Sequence, residues 1–281
     1  MTTAFVLSGG ASLGAVEVGM LQALARRDIR PDVIIGTSAG ALNGAWLAAG
    51  SSPEDLDELA QVWIKLKRST VFPVDPLNLT AVLLGRSDHL VSDSGIRKLL
   101  KDNLRFERME DAPIPLHVVV TDVLTGKDVL VSKGDAIDAI SASAAIPGVL
   151  PTVTIDGRIF MDGGAVNNTP ITHAVQLGAD PIWVLPTGAP CALTRQPRTA
   201  LGMALHGLTL AINHRMASDV SRFESVVDLR VAPPLCPLEV NPADFSHAEE
   251  MIDRARVQTA EWLDAGPVRA GQANLLIPHG H

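Results

Sequence analysis

Val33-Ile34-Ile35-Gly36-Thr37-Ser38-Ala39-Gly40-Ala41 is the stretch whose reading decides the fold. An apolar run of strand length stops at Gly36, and an Ala-rich stretch reaching Ala49 begins behind Ser38. A strand that turns sharply into a helix, with serine at the bend between small residues, is the layout of a nucleophile elbow. The turn is tight, so a side chain at Gly36 or Gly40 would collide with the neighbouring strand or helix. The bend projects the Ser38 hydroxyl out of the fold, and the helix behind it aims free N–H groups at a developing oxyanion. The alternative is a small-residue turn whose serine only caps the helix.

The same strand-turn-helix pattern stands upstream. Ala4-Phe5-Val6-Leu7 reads as a short buried strand ending in the turn Ser8 to Gly14, and Val16, Met20, Leu21 and Leu24 follow at helical spacing. Two such units in succession predict a parallel sheet. Ser52-Pro53-Glu54-Asp55 is a helix start, and the Pro-punctuated stretch from Val71 to Asp93 reads as an insertion over the sheet. A helix is expected over Ser94 to Leu104, strands at Leu116 to Val120 and Val129 to Val131, and a hairpin over Val153 to Met161 turning at Asp156-Gly157. Thr169-Pro170 is expected to cap a further helix, before a strand at Ile182 to Leu185. Helices over Thr199 to Ser221 and Ser246 to Leu263, with a strand at Val226 to Val231 between them, complete one α/β domain spanning residues 1–281.

Composition excludes several function classes. A 281-residue chain with 47% hydrophobic and 19% charged residues is not disordered. A net charge of −8 opposes extended nucleic-acid binding and strong electrostatic capture by an anionic membrane. Cys191 and Cys236 lie apart without metal-ligand spacing, which predicts reduced thiols and a cytoplasmic location; no basic region precedes the first strand, so no signal peptide is expected. The apolar stretch Leu201 to Ile212 is too short and interrupted to span a bilayer, and with the Val71 to Leu90 insertion it is expected to form an acyl-chain groove.

Ser38 requires a base and oxyanion donors. The turn Gly9-Gly10-Ala11-Ser12-Leu13-Gly14 ends a strand parallel to the one feeding Ser38, so both turns should emerge at the same sheet edge. It breaks the Gly fingerprint of a dinucleotide loop and lacks the Lys of a P-loop. For the base, Asp162-Gly163-Gly164 ends the hairpin strand; the plain reading of such an Asp is an Asx turn. None of the eight histidines stands in a Gly-rich or strand-end loop, so a Ser–Asp dyad is more economical than a triad.

Gly9-Gly10 with Gly14, then Gly36-Thr37-Ser38-Ala39-Gly40, then Asp162-Gly163-Gly164, in that order, resembles the patatin-like phospholipase family. Ser141-Ala142-Ser143-Ala144-Ala145-Ile146-Pro147-Gly148 and Asn167-Asn168-Thr169-Pro170 extend the resemblance over about residues 4 to 190. It implies a three-layer α/β/α fold with a mainly parallel sheet and catalysis without metal or cofactor. Carried over by position, Ser38 is the nucleophile and Asp162 the base. Gly9, Gly10, Ala11, Gly14 and Ala39 form the oxyanion hole, and Gly36, Gly40, Gly163 and Gly164 support the motifs. The implied activity is hydrolysis of carboxylic ester bonds in lipids or phospholipids through an acyl-enzyme. An acyltransferase or thioesterase using the same dyad, or a non-catalytic lipid-binding protein, are the alternatives. The implied partner is a lipid ester met at a membrane or micelle surface. The chain carries Ala11 and Leu13 where the family usually has a Gly and a Lys or Arg. The oxyanion donors survive Ala11 if its φ is negative, whereas losing the cation weakens the expectation of a phospholipid substrate.

Overall fold

The computed structural model describes residues 1–73, 82, 86–188, 196–238, 240–267 and 271–276. Strand β1 (Ala4–Leu7) is buried at every position, as an interior parallel strand must be. Its side chains alternate between two cores: Phe5 and Leu7 face one, Ala4 and Val6 the other. Helix α1 (Gly14–Ala25) follows, buried along its whole length. Strand β2 (Val33–Thr37) runs into α2 (Ala39–Ala49). Helix α3 (Pro53–Lys65) starts in a full capping box between Ser52 and Asp55, as its sequence predicts. The short α4 (Arg68–Val71) and α5 (Ser94–Asn103) flank the expected insertion, of which residues 74–81 and 83–85 lie outside the described residues.

Strand β3 (Leu116–Asp122) and β4 (Asp128–Val131) form one hairpin, and β5 (Val153–Ile155) and β6 (Arg158–Asp162) another, with α6 (Ala136–Ser143) between them. Asp156 and Gly157 have φ of 49° and 76°, the left-handed pair of a two-residue hairpin turn. After α7 (Gly164–Asn167), α8 (Ile171–Gln176) leads to β7 (Ile182–Leu185), α9 (Ala200–Phe223), β8 (Leu229–Val231) and α10 (Ala248–Ala265). Two expectations need correction. The last strand is only three residues long, and Thr169 does not cap α8: its hydroxyl bonds the Ser8 hydroxyl at 2.9 Å instead.

The eight strands form one sheet in the order β5-β6-β3-β2-β1-β7-β8, with β4 also on β3. Strands β1, β2, β3, β7 and β8 pair in parallel; β4, β5 and β6 join antiparallel. One face packs on α1, α2, α3 and α10, the other on α8 and α9, which gives the expected three layers.

Register along β3 positions the site. Thr37 of β2 pairs with Val119, and Asp162 of β6 with Val120. Strand β4 pairs with both Val119 and Val120, so it occupies the opposite edge. Strands β2 and β6 therefore meet end to end on one edge of β3, and the residues that leave their ends are neighbours.

Candidate active site

Ser38 stands at φ 54° and ψ −118°, a conformation that costs a side-chain-bearing residue about 1–3 kcal/mol. Neighbouring backbone holds it there. A Cβ on Gly36 would strike the Gly40 carbonyl, and one on Gly40 would strike the Leu7 carbonyl of β1, the collisions the sequence implies. The Ser38 N–H donates to Ser143 Oγ at 2.9 Å, and Ser143 Oγ donates onward to the Val119 carbonyl at 2.7 Å. A buried hydroxyl from α6 thus pins the elbow to β3.

Asp162 is 5% exposed and Ser38 6%. The Asp162 carboxyl is close enough to the Ser38 hydroxyl to be drawn down by it, and the Gly164 N–H donates to Asp162 Oδ1 at 2.7 Å. The bond from Gly164 is the Asx turn expected of this aspartate, and the turn sets the carboxyl beside Ser38. Burial pushes its carboxyl up to about 6, against the opposing pull of the Ser38 hydroxyl and the Gly164 N–H. Gly163 is required by close approach, since a Cβ there would strike the Val119 carbonyl.

The first Gly turn faces the same point. The Gly9 N–H is taken by the Asn168 carbonyl at 3.1 Å, and Gly14 N–H bonds back to Ala11 and Ser12 carbonyls. Gly9 and Gly14 therefore shape the turn rather than donate to a ligand, which corrects the wider oxyanion set expected from sequence. Gly10, Ala11 and Ala39 keep N–H groups without a partner among the described residues. Ala11 has φ 50°, so the condition of a negative φ is not met. The turn survives because it is braced: Asn168 Nδ2 and Thr187 Oγ1 both donate to the Gly9 carbonyl, at 3.0 and 2.6 Å, and Ser12 N–H reaches the Pro242 carbonyl at 3.0 Å.

Sequence reasoning missed these braces. Asn168 clamps the first turn, while the Asn167 carbonyl accepts from Thr37 Oγ1 at 3.1 Å, so the Asn-Asn-Thr run after the Asp-Gly-Gly motif stitches all three loops together. Glu17, fully buried in α1, accepts from Ser8 N–H at 2.6 Å and Asn43 Nδ2 at 2.8 Å. Burial drives its carboxyl well above the ordinary range. Its sequence signal is the one charged residue in a mostly apolar helix.

Two clefts open at Ser38. One is apolar and runs beside α2, α3 and α5, where Val71 and Phe72 also line it. The other lies under α9, lined by Asp162, Gly10, Leu13, Leu208 and Ile212. No histidine lines either among the described residues. The single groove expected from Leu201 to Ile212 and Val71 to Leu90 is thus divided: Val71 and Phe72 line one cleft, Leu208 and Ile212 the other, and residues 74–81 and 83–85 and the side chains of Leu201 and Leu205 lie outside the described residues. Among the described residues no group of His, Cys, Asp and Glu could hold a metal ion, and no helix is long and apolar enough to cross a membrane. Cys191 also lies outside the described residues.

The family model Patatin-like phospholipase matches residues 5–175. An uncharacterised NTE family protein of Mycobacterium tuberculosis is 33% identical over 178 residues, 63% of this chain and 46% of that protein. The human patatin-like phospholipase domain-containing protein 6 is 30% identical over 190 residues, 67% of this chain and 13% of that protein. The chain therefore spans less than half the length of these relatives. Among solved structures, VipD from Legionella pneumophila shares the fold with a TM-score of 0.50 at 16% identity, over 95% of this chain and 67% of that one.

Proposed function

The chain belongs to the patatin-like phospholipase family, and we propose that it is a serine hydrolase cleaving carboxylic ester bonds of lipids through an acyl-enzyme. Family membership supports a lipid hydrolase in general. The observation that carries the finer reading is the buried Asp162 carboxyl beside the Ser38 hydroxyl at the junction of two clefts, with the carboxyl raised to about 6. A base with that affinity for protons is half ionised near pH 6 and mostly ionised at pH 7, yet it takes a proton more readily than an ordinary aspartate.

In this mechanism the Asp162 carboxylate accepts the Ser38 proton as Oγ bonds to the acyl carbon. The carbonyl electrons move onto oxygen, and the N–H groups of Gly10, Ala11 and Ala39 hold the oxyanion. Collapse breaks the bond to the alcohol oxygen, which takes the proton from Asp162. Water then attacks the acyl-enzyme and gives its proton to Asp162; as the acyl–oxygen bond breaks, Asp162 passes that proton to Ser38 Oγ and the fatty acid leaves. The strained elbow keeps Ser38 presented throughout. Contact with a lipid surface fits α9, whose Leu208 and Ile212 line the cleft while Met203 and Leu210 stand about half exposed, at 50% and 52%.

The test is labelling and turnover. A fluorophosphonate should label the wild type but not Ser38→Ala, and both Ser38→Ala and Asp162→Asn should lose hydrolysis of a p-nitrophenyl ester by at least a thousandfold. Wild-type turnover in either variant refutes the dyad.

A further inference from the structure

The two clefts are not equivalent, and the base decides which end of an ester each receives. Ser38 and Ala11 line both clefts, but Asp162 lines only the one under α9. The proton that Asp162 takes from Ser38 returns to the leaving oxygen, so that oxygen lies within hydrogen-bond reach of the carboxyl. The alcohol half of the ester therefore enters the cleft under α9, and the acyl chain enters the cleft along α2.

The walls fit that division. Leu42, Ala45, Trp46 and Ala49 line the acyl side from one face of α2, with Trp63 and Leu100 opposite. From Ala39 to Ala49 the helix rises about 15 Å.

The alcohol side carries no Lys or Arg among the described residues lining it; its ionisable group is Asp162 itself. Leu13 presents an apolar side chain there, and Thr187, Asn168 and Asn213 supply neutral polar groups. In a lysophospholipid the phosphate stands three carbons from the ester oxygen, inside this cleft and beside the carboxylate. Like charges ~7 Å apart at an effective dielectric of ~20 repel by an amount equivalent to roughly fiftyfold in rate.

We propose that the substrate is an uncharged ester of the glyceride kind, its acyl chain lying along α2 and its alcohol beneath α9, and not a phospholipid. This rests on the acyl-hydrolase reading above. Neutral hydroxyls suit the neutral polar lining, and no countercharge is needed.

Monolauroylglycerol, lauroyl-lysophosphatidylcholine and lauroyl-lysophosphatidylglycerol, each below its micellar concentration, are compared by kcat/KM for fatty-acid release. The glyceride should exceed the anionic lysolipid by tenfold or more, with the zwitterion between them. Equal or reversed rates overturn the neutral-alcohol assignment while leaving the hydrolase intact. Absence of release from any ester, together with no fluorophosphonate labelling, refutes the hydrolase reading and this assignment with it. Ala49→Trp tests the orientation, because it fills the far end of the acyl side. The ratio of lauroyl to butyroyl glyceride turnover should fall at least fivefold, and an unchanged ratio overturns the placement of the chain.

Discussion

Replacing Asp162 with Asn is expected to inactivate the protein and stabilise it together. Burial lifts the carboxyl from 3.8 to about 6, so the folded protein holds the proton over about two pH units in which the unfolded chain releases it. Within that window the folded state binds more protons, so stability falls as pH rises. The contribution is fully present below 3.8 and lost above about 6. At 1.36 kcal/mol per unit the loss is about 3 kcal/mol by pH 8. Asn is neutral at every pH, fits the same space, can accept from Gly164 and can donate to Ser38. The variant should therefore exceed the wild type by only about 0.5 kcal/mol at pH 4 and by close to 3 kcal/mol at pH 8. With an unfolding entropy of about 2.1 cal/mol/K per residue, the latter is a rise in Tm of about 5 °C. Thermal melts of both proteins at the two pH values measure it. Over the same range wild-type kcat/KM should climb through pH 6, because only the carboxylate accepts the Ser38 proton. A gap that does not widen with pH, or a variant less stable at pH 8, would show that the buried carboxylate is not disfavoured as argued.

Two further predictions concern the braces. Ser143→Ala leaves the buried Ser38 N–H and Val119 carbonyl without their partner, and should cost about 2 kcal/mol in urea unfolding and lower kcat at least tenfold. Unchanged kcat would mean the elbow holds its shape without α6. Glu17→Gln sets an amide N–H against one of two donors, Ser8 N–H or Asn43 Nδ2. It should destabilise by about 1–3 kcal/mol and reduce kcat with KM nearly constant, since the turn carrying the oxyanion donors follows Ser8 directly; a variant matching the wild type in both would remove Glu17 from any positioning role.

The order of strands and helices was legible because each unit carries its own local code. Strand β1 is continuously apolar, Ser52 and Pro53 open α3, and Asp156-Gly157 closes a hairpin. The elbow was legible for the same reason: a serine between two glycines at a strand end has few other uses. Local pattern also suggested Asp162, although an Asx turn and a base look alike in one dimension.

The sequence by itself determined the α/β class, the elbow at Ser38 and the three motif loops, because propensity, turn chemistry and hydrophobic period act over a few residues. Only the tertiary structure decided that Ser38 and Asp162 meet. That depends on β2 and β6 sharing one edge of β3, a pairing set by long-range register. It decided also that Gly9 and Gly14 have no N–H to spare, because both spend theirs on partners within the fold. And it divided one expected groove into two, since which wall a side chain lines is fixed by how α2 and α9 pack on opposite sides of Ser38, not by its neighbours along the chain.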